Sequence, residues 1–173
     1  MKGLSIAGRK RNSAFDHYAT PEWATQALLN KEVFSQTIWE PACGDGAIVE
    51  VLKDNGYGVL ATDIQNGEDF FEQESQQMDI ITNPPFNQAE KFIWHALEVG
   101  GNKVAMFLKL SFLESEGRKK LFEETPLETV YVFRKRVNLY PYGEEKPKNS
   151  GTTAYAWYVW NKNYKGLPII KWL

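Results

Sequence analysis

Residues 36–52, QTIWEPACGDGAIVEVL, change rhythm halfway, and that change sets the fold. QTIWE reads as a short buried strand, after which Ile48, Val49, Val51 and Leu52 recur at helical spacing. Between the two stands EPACGDG, residues 40–46. Glycines placed between a strand and a helix let backbone amides come close to a ligand at the helix N-terminus. The spacing is not G-x-G-x-x-G, and no G-K-[ST] follows, so neither a dinucleotide fingerprint nor a P-loop is present. Asp45 would also sit poorly against a pyrophosphate. The turn suits a ligand without phosphates.

Working outward, Gly56 stops the helix, and YGVLATDI (57–64) is a second strand ending in an acid. DFFEQ is a short loop or strand, and MDIITN (78–83) is a clear strand. NQAEKFIWHALEVGG (87–101) reads as an amphipathic helix with Ala89, Phe92, Ile93, Ala96 and Leu97 on one side. KVAMFLKL (103–110) is near-continuously apolar, as expected of a strand covered on both faces. Upstream, TPEWATQALLNK (20–31) reads as a helix with Thr20 as N-cap and Pro21 in first position. EGRKKLFEE (116–124) is a short helix, while LETVYVFRKRVNLY (127–140) and TTAYAWYVWNK (152–162) are strand-like. The pattern predicts an α/β sandwich whose mostly parallel sheet carries an antiparallel C-terminal hairpin. Residues 1–14 are expected to form a flexible basic arm, and 15–173 a single domain.

Composition bounds the function. At 43% hydrophobic and 24% charged the chain is globular, and its net charge of −2 means that a nucleic-acid partner would need a local basic surface. One cysteine excludes an internal disulfide, and with two distant histidines it leaves no dedicated zinc site. No apolar run reaches membrane-spanning length, and the N-terminal apolar part is too short for a signal peptide. The expectation is a soluble, cytoplasmic protein with no metal and no membrane partner.

The oddest stretch is NPPF, residues 83–86. Each proline lacks an N–H and restricts its predecessor, so the pair is stiff. It is either a turn capped by Asn83 with Phe86 as a core plug, or a rigid pocket edge for a planar substrate. Asp63 stands where doubly wound folds bind a ribose. Asp69 with Phe70 is expected at the next strand end, where the acid can accept from an adenine amine and the backbone N–H can meet a ring nitrogen.

With EPACGDG, TDI, DFF and NPPF in this order, the chain resembles the S-adenosylmethionine-dependent adenine-N6 DNA methyltransferases, in a gamma-like motif order and most like the compact phage and prophage type. The resemblance covers roughly residues 15 to 160. It implies a Rossmann-like class I methyltransferase sandwich with a seven-stranded sheet and S-adenosyl-L-methionine as cofactor. By position, it implies that Glu40, Pro41, Ala42, Cys43, Gly44 and Gly46 form the cofactor loop, and that Asp63 and Ile64 lie at the ribose. It further implies that Asp69 and Phe70 lie at the adenine, and that Tyr18, Thr20 and Pro21 lie at the methionine end. Asn83, Pro84, Pro85 and Phe86 would hold the target base, with Asn83 also bordering the cofactor.

Relatives carry a sizeable target-recognition domain, and none is visible here. The substitutes are weak nucleic-acid contacts from Lys10, Arg11, Arg134, Lys135, Arg136, Tyr140, Lys146 and Lys148, with Val137 or Leu139 packing near a flipped base. The same chemistry on RNA adenine or a protein glutamine, and a non-catalytic cofactor-binding or anti-restriction role, remain as alternatives. Monomer and homodimer both stay open.

Overall fold

A computed structural model describes residues 18–139 and 151–173. Its helices are α1 (Glu22–Leu29), α2 (Ala47–Asp54), α3 (Ala89–Val99) and α4 (Lys119–Glu124). Its strands are β1 (Thr37–Glu40), β2 (Gly58–Ala61), β3 (Asp79–Thr82), β4 (Lys103–Lys109), β5 (Leu127–Val132), β6 (Tyr155–Asn161) and β7 (Ile169–Trp172). They form one sheet in the order β2-β1-β3-β4-β6-β5-β7. β1 runs parallel to β2 and β3, β3 to β4, and β5 to β7. β6 is antiparallel to both β4 and β5, which makes the expected hairpin.

Strand alternation sorts the apolar side chains into two layers. Trp39, Ile80, Val104, Met106, Tyr158 and Trp160 face α3 and α4, where Phe92, Ile93, Ala96 and Leu121 meet them. Ile38, Ile81, Ala105, Phe107, Trp157 and Val159 face α1 and α2, where Ala24, Leu28, Ile48 and Leu52 meet them. The sheet is therefore covered on both faces, as the apolar runs of β3, β4 and β6 require. Trp157 Nε1 donates to the Ala24 carbonyl at 2.9 Å, which ties the central sheet to α1.

Three local expectations need correction. The seventh strand is the exposed edge β7, which the sequence reading lacks; of the two readings of DFFEQ the loop holds, with Phe70–Glu72 in a single 3₁₀ turn. The edge exists because β5 offers an unpaired side, with Leu173 N–H donating to the Val132 carbonyl at 3.0 Å. Asp69 thus caps a 3₁₀ turn and does not end a strand. The third correction concerns α1, whose N-cap is Pro21, one residue later than expected. The Pro21 carbonyl takes the Ala24 N–H at 2.9 Å, and the Thr20 hydroxyl is left buried without a partner.

Candidate active site

β2 and β3 lie on opposite sides of β1, and the connections leaving β1 and β3 run to α2 and α3 on opposite faces of the sheet, which opens a crevice at their carboxyl ends. In open α/β sheets that crevice is where ligands bind. Three predicted groups meet there: Glu40 at the end of β1, Asp63 just beyond β2 and Asn83 just beyond β3.

The glycine loop is held from below. Cys43 N–H donates to the Thr62 carbonyl at 3.1 Å, and Gly46 N–H donates to the Cys43 carbonyl at 2.8 Å. Gly44 (φ 47) and Gly46 (φ 84) both lie in the left-handed region, which a side chain would strain. Gly46 is the N-cap of α2, and no side chain caps that helix. Asp63 is 3% exposed; it accepts from Gly44 N–H at 2.8 Å and from Gln65 N–H at 2.9 Å. A carboxylate has about four acceptor sites, so two amides leave it capacity for hydroxyl donors. Ile64 beside it is 63% exposed, an apolar surface at the mouth of the crevice.

Glu40 is 1% exposed, and its Oε2 has no hydrogen-bond partner. Burial, with the nearby Asp63 charge adding, pushes its carboxyl up to about 8. The Thr82 hydroxyl lies beside it and partly offsets this, without closing a hydrogen bond. Oε1 accepts from the Ala42 N–H at 3.4 Å, and the free Oε2 under a glycine turn is suited to a ligand cation. Burial, then the Asp63 and Glu40 charges, push the Cys43 thiol up to about 11, so it is no ready nucleophile.

Asn83 carries the most informative contact. Its Nδ2 donates to the Tyr18 carbonyl at 2.9 Å. A carbonyl oxygen only accepts, so the amide nitrogen must face it, and Oδ1 is turned the other way. Among the described residues nothing donates to Oδ1 or to the Pro84 carbonyl. Pro84 is buried and Pro85 is extended (φ −53, ψ 121), so the acceptors stand on stiff backbone. Phe86 is half-buried, with Tyr18 stacked at 6.3 Å, Tyr155 at 5.9 Å and Lys109 Nζ over its ring at 4.8 Å.

Asp69 accepts from Phe71 N–H at 2.9 Å, and the Phe70 N–H has no acceptor among the described residues. The Phe70 ring is 2% exposed in the core against Trp39, Phe92 and His95, so only its backbone is free for a ligand. Pro41 and Ala42 lie in the turn after β1, and Pro21 caps α1.

The basic trio lies beyond β5 and is partly engaged. Arg134 Nε donates to the Leu173 carbonyl, Arg136 donates to the Thr152 carbonyl, and Lys135 stands over Trp23. Val137 is core and cannot touch a base, whereas Leu139 is half-buried. Lys10, Arg11, Tyr140, Lys146 and Lys148 lie outside the described residues. Sequence reasoning missed Thr82, Lys109 and Tyr155. The signal for Lys109 was a cation closing an otherwise apolar strand that neighbours NPPF.

Among the described residues no group of His, Cys, Asp and Glu is placed to hold a metal ion. No helix among them is long and apolar enough to cross a membrane.

No protein-family model matches this sequence, and no curated protein matches it at a significant level. Solved structures do. A modification subunit described as part of a type I restriction enzyme from Vibrio vulnificus YJ016 aligns with TM-score 0.59 and 14% identity, over 94% of this chain and 48% of that one. The chain thus spans about half the length of that subunit. A protein described as an RNA methyltransferase from Pyrococcus horikoshii gives TM-score 0.56 and 14% identity, over 89% and 90%. A SAM-dependent O-methyltransferase from Thermotoga maritima gives 0.52 and 13%, over 83% and 65%. The fold is the Rossmann-like methyltransferase sandwich.

Proposed function

We propose that this protein transfers a methyl group from S-adenosyl-L-methionine to the exocyclic N6 amine of adenine in DNA. The observation that carries the reading is the Asn83 amide. Its Nδ2 is held by the Tyr18 carbonyl, and among the described residues neither Oδ1 nor the carbonyl of the next residue, Pro84, has a donor. Two acceptors on stiff backbone match the two N–H bonds of one planar amine. Accepting both favours a more tetrahedral nitrogen, whose lone pair is then released from the ring. Little ordering remains to be done in the reacting complex.

The bound cofactor supplies an electrophilic methyl group. Polar groups with remaining capacity fit its parts: the unpartnered Glu40 Oε2 an ammonium, Asp63 a ribose, and Asp69 with the Phe70 N–H an adenine edge. The Thr20 hydroxyl, buried and unpartnered, is available to the carboxylate end. No general base is required of the chain, since Asn83 is neutral and the amine loses its proton to water. Phe86 offers a ring for the base, a contact worth about 1–3 kcal/mol. Reaching N6 in a duplex requires extruding the base.

The test offers labelled S-adenosylmethionine with unmethylated duplex DNA, single-stranded DNA and ribosomal RNA. Label in N6-methyladenine of DNA supports the reading; label in RNA alone overturns it.

A further inference from the structure

The carboxyl end of β4 holds a pocket that borders the site above through Phe86 and is otherwise built of residues given no role in methyl transfer. It has a volume of about 180 Å³ and is lined by Phe86, Leu108, Lys109, Ser111, Phe112 and Arg118. Two of these are cations. Among the described residues neither lies within ion-pair distance of a carboxylate. Lys109 rests its ammonium over the Phe86 ring at 4.8 Å, and Arg118 lays its guanidinium over Phe112 at 4.2 Å.

The two cations are differently prepared. Arg118 is held in place, because its Nη1 donates to the Phe112 carbonyl at 2.9 Å and to the Glu114 carbonyl at 3.4 Å. Its Nε and Nη2 donate to nothing among the described residues, which leaves a fork whose plane is already fixed. The Lys109 backbone is anchored from beneath by the Tyr158 hydroxyl, which donates to the Lys109 carbonyl at 3.1 Å and the Leu110 carbonyl at 3.2 Å. Among the described residues its ammonium has only the cation–π contact to Phe86 to give up. The Ser111 hydroxyl adds an exposed donor at the rim. Two unpaired cations and a hydroxyl around one concavity describe a receptor for an oxyanion.

We propose that this pocket binds a backbone phosphodiester flanking the target nucleotide, with Lys109 and Arg118 as its contacts. The inference rests on the nucleic-acid reading above. It goes beyond it in naming where the strand is gripped and which residues set the base against Phe86. Lys109 couples the two events: a base arriving on Phe86 displaces the ammonium from the ring, and the phosphate that arrives with the base receives it. Both are positioning residues and neither takes part in methyl transfer.

The test is the salt dependence of binding to a short oligothymidylate carrying one central dA, with wild type, Lys109→Met, Arg118→Gln and Lys109→Arg. Each phosphate contact contributes roughly 0.7 to the slope of log K against log salt on single strands. Lys109→Met is expected to flatten the slope by about that amount and to weaken binding roughly tenfold at low salt. Lys109→Arg keeps the charge and should restore the slope, which separates lost charge from lost fold. A methylphosphonate beside the dA should weaken wild type at one flanking position and leave Lys109→Met unaffected there. If wild type binds with a steep slope that Lys109→Met and Arg118→Gln both retain, the phosphate site is wrong and the nucleic-acid reading stands. If wild type binds no DNA or RNA at any salt, both fall together.

Discussion

Asn83 and Tyr18 are 65 residues apart in sequence, yet one hydrogen bond of 2.9 Å between the Asn83 amide and the Tyr18 carbonyl sets which face of the amide the crevice sees. Asn83→Asp replaces the donor with an acceptor and drives the side chain off that carbonyl. Asn83→Ala removes the acceptor outright. Both should lower methyl transfer at least roughly 10²-fold, the scale seen when one preorganised polar contact is lost. Cofactor affinity, read by calorimetry, should change far less. An Asn83→Ala protein turning over at the wild-type rate refutes the mechanism.

Glu40 makes stability depend on pH in a defined direction. Its folded pKa, about 8, lies above the ordinary 4.5, so within that window the folded protein holds a proton that the unfolded chain releases. Its contribution is fully present below about 4.5 and is lost as pH rises through about 8. Glu40→Gln should flatten the fall in denaturation midpoint across this window and be more stable than wild type at its alkaline end. A cationic ligand favours the carboxylate. Its affinity should therefore rise with pH up to about 8, with proton release visible by calorimetry in buffers of different ionisation enthalpy. Glu40→Gln should lose both effects; an unchanged pH dependence would place Glu40 away from the ligand.

Cys43 should be a slow thiol. With its pKa pushed up to about 11, only a small fraction is thiolate near neutrality. Alkylation by iodoacetamide should run well below the rate of a free cysteine peptide and climb steadily with pH. Fast modification at neutral pH would contradict the half-buried, carboxylate-flanked environment.

Trp157 tests the link from sheet to α1. It is fully buried, and its indole N–H meets the Ala24 carbonyl. Trp157→Phe keeps an aromatic ring but loses that bond and some volume, which should cost about 1–3 kcal/mol in urea unfolding. Trp157→Ala should cost about 3–5 kcal/mol. Equal stability of wild type and Trp157→Phe would show that the bond contributes nothing net.

What could be read from sequence followed a physical pattern. Strands β3, β4 and β6 and helices α2 and α3 were legible because burial on two faces leaves long apolar runs and burial on one leaves helical spacing. β7 was not, since Ile169, Ile170 and Trp172 are exposed and pair only because β5 has a free side. The motif residues Glu40, Asp63 and Asn83 were legible as residue types at strand ends. Their working contacts were hidden, because the partner is often main chain. Tyr18 contributes a carbonyl to Asn83, and Asp63 holds the Gly44 amide; neither contact leaves a mark on side-chain spacing. Asp69 was placed at a strand end by analogy with Asp63, and a 3₁₀ turn served the same position without a strand.

The order of the sheet also sets a timetable. β6 lies between β4 and β5, although the chain is synthesised with β5 first. Until Tyr155–Asn161 leave the ribosome, two apolar strands stand with facing edges unpaired, the arrangement most open to wrong partners. The Tyr158 hydroxyl that anchors Lys109 arrives only with this strand. So does Tyr155, which stands against Phe86. The glycine loop and the proline pair are made early, but they wait on one late aromatic strand for their surroundings, and that insertion is the step in biogenesis most exposed to failure.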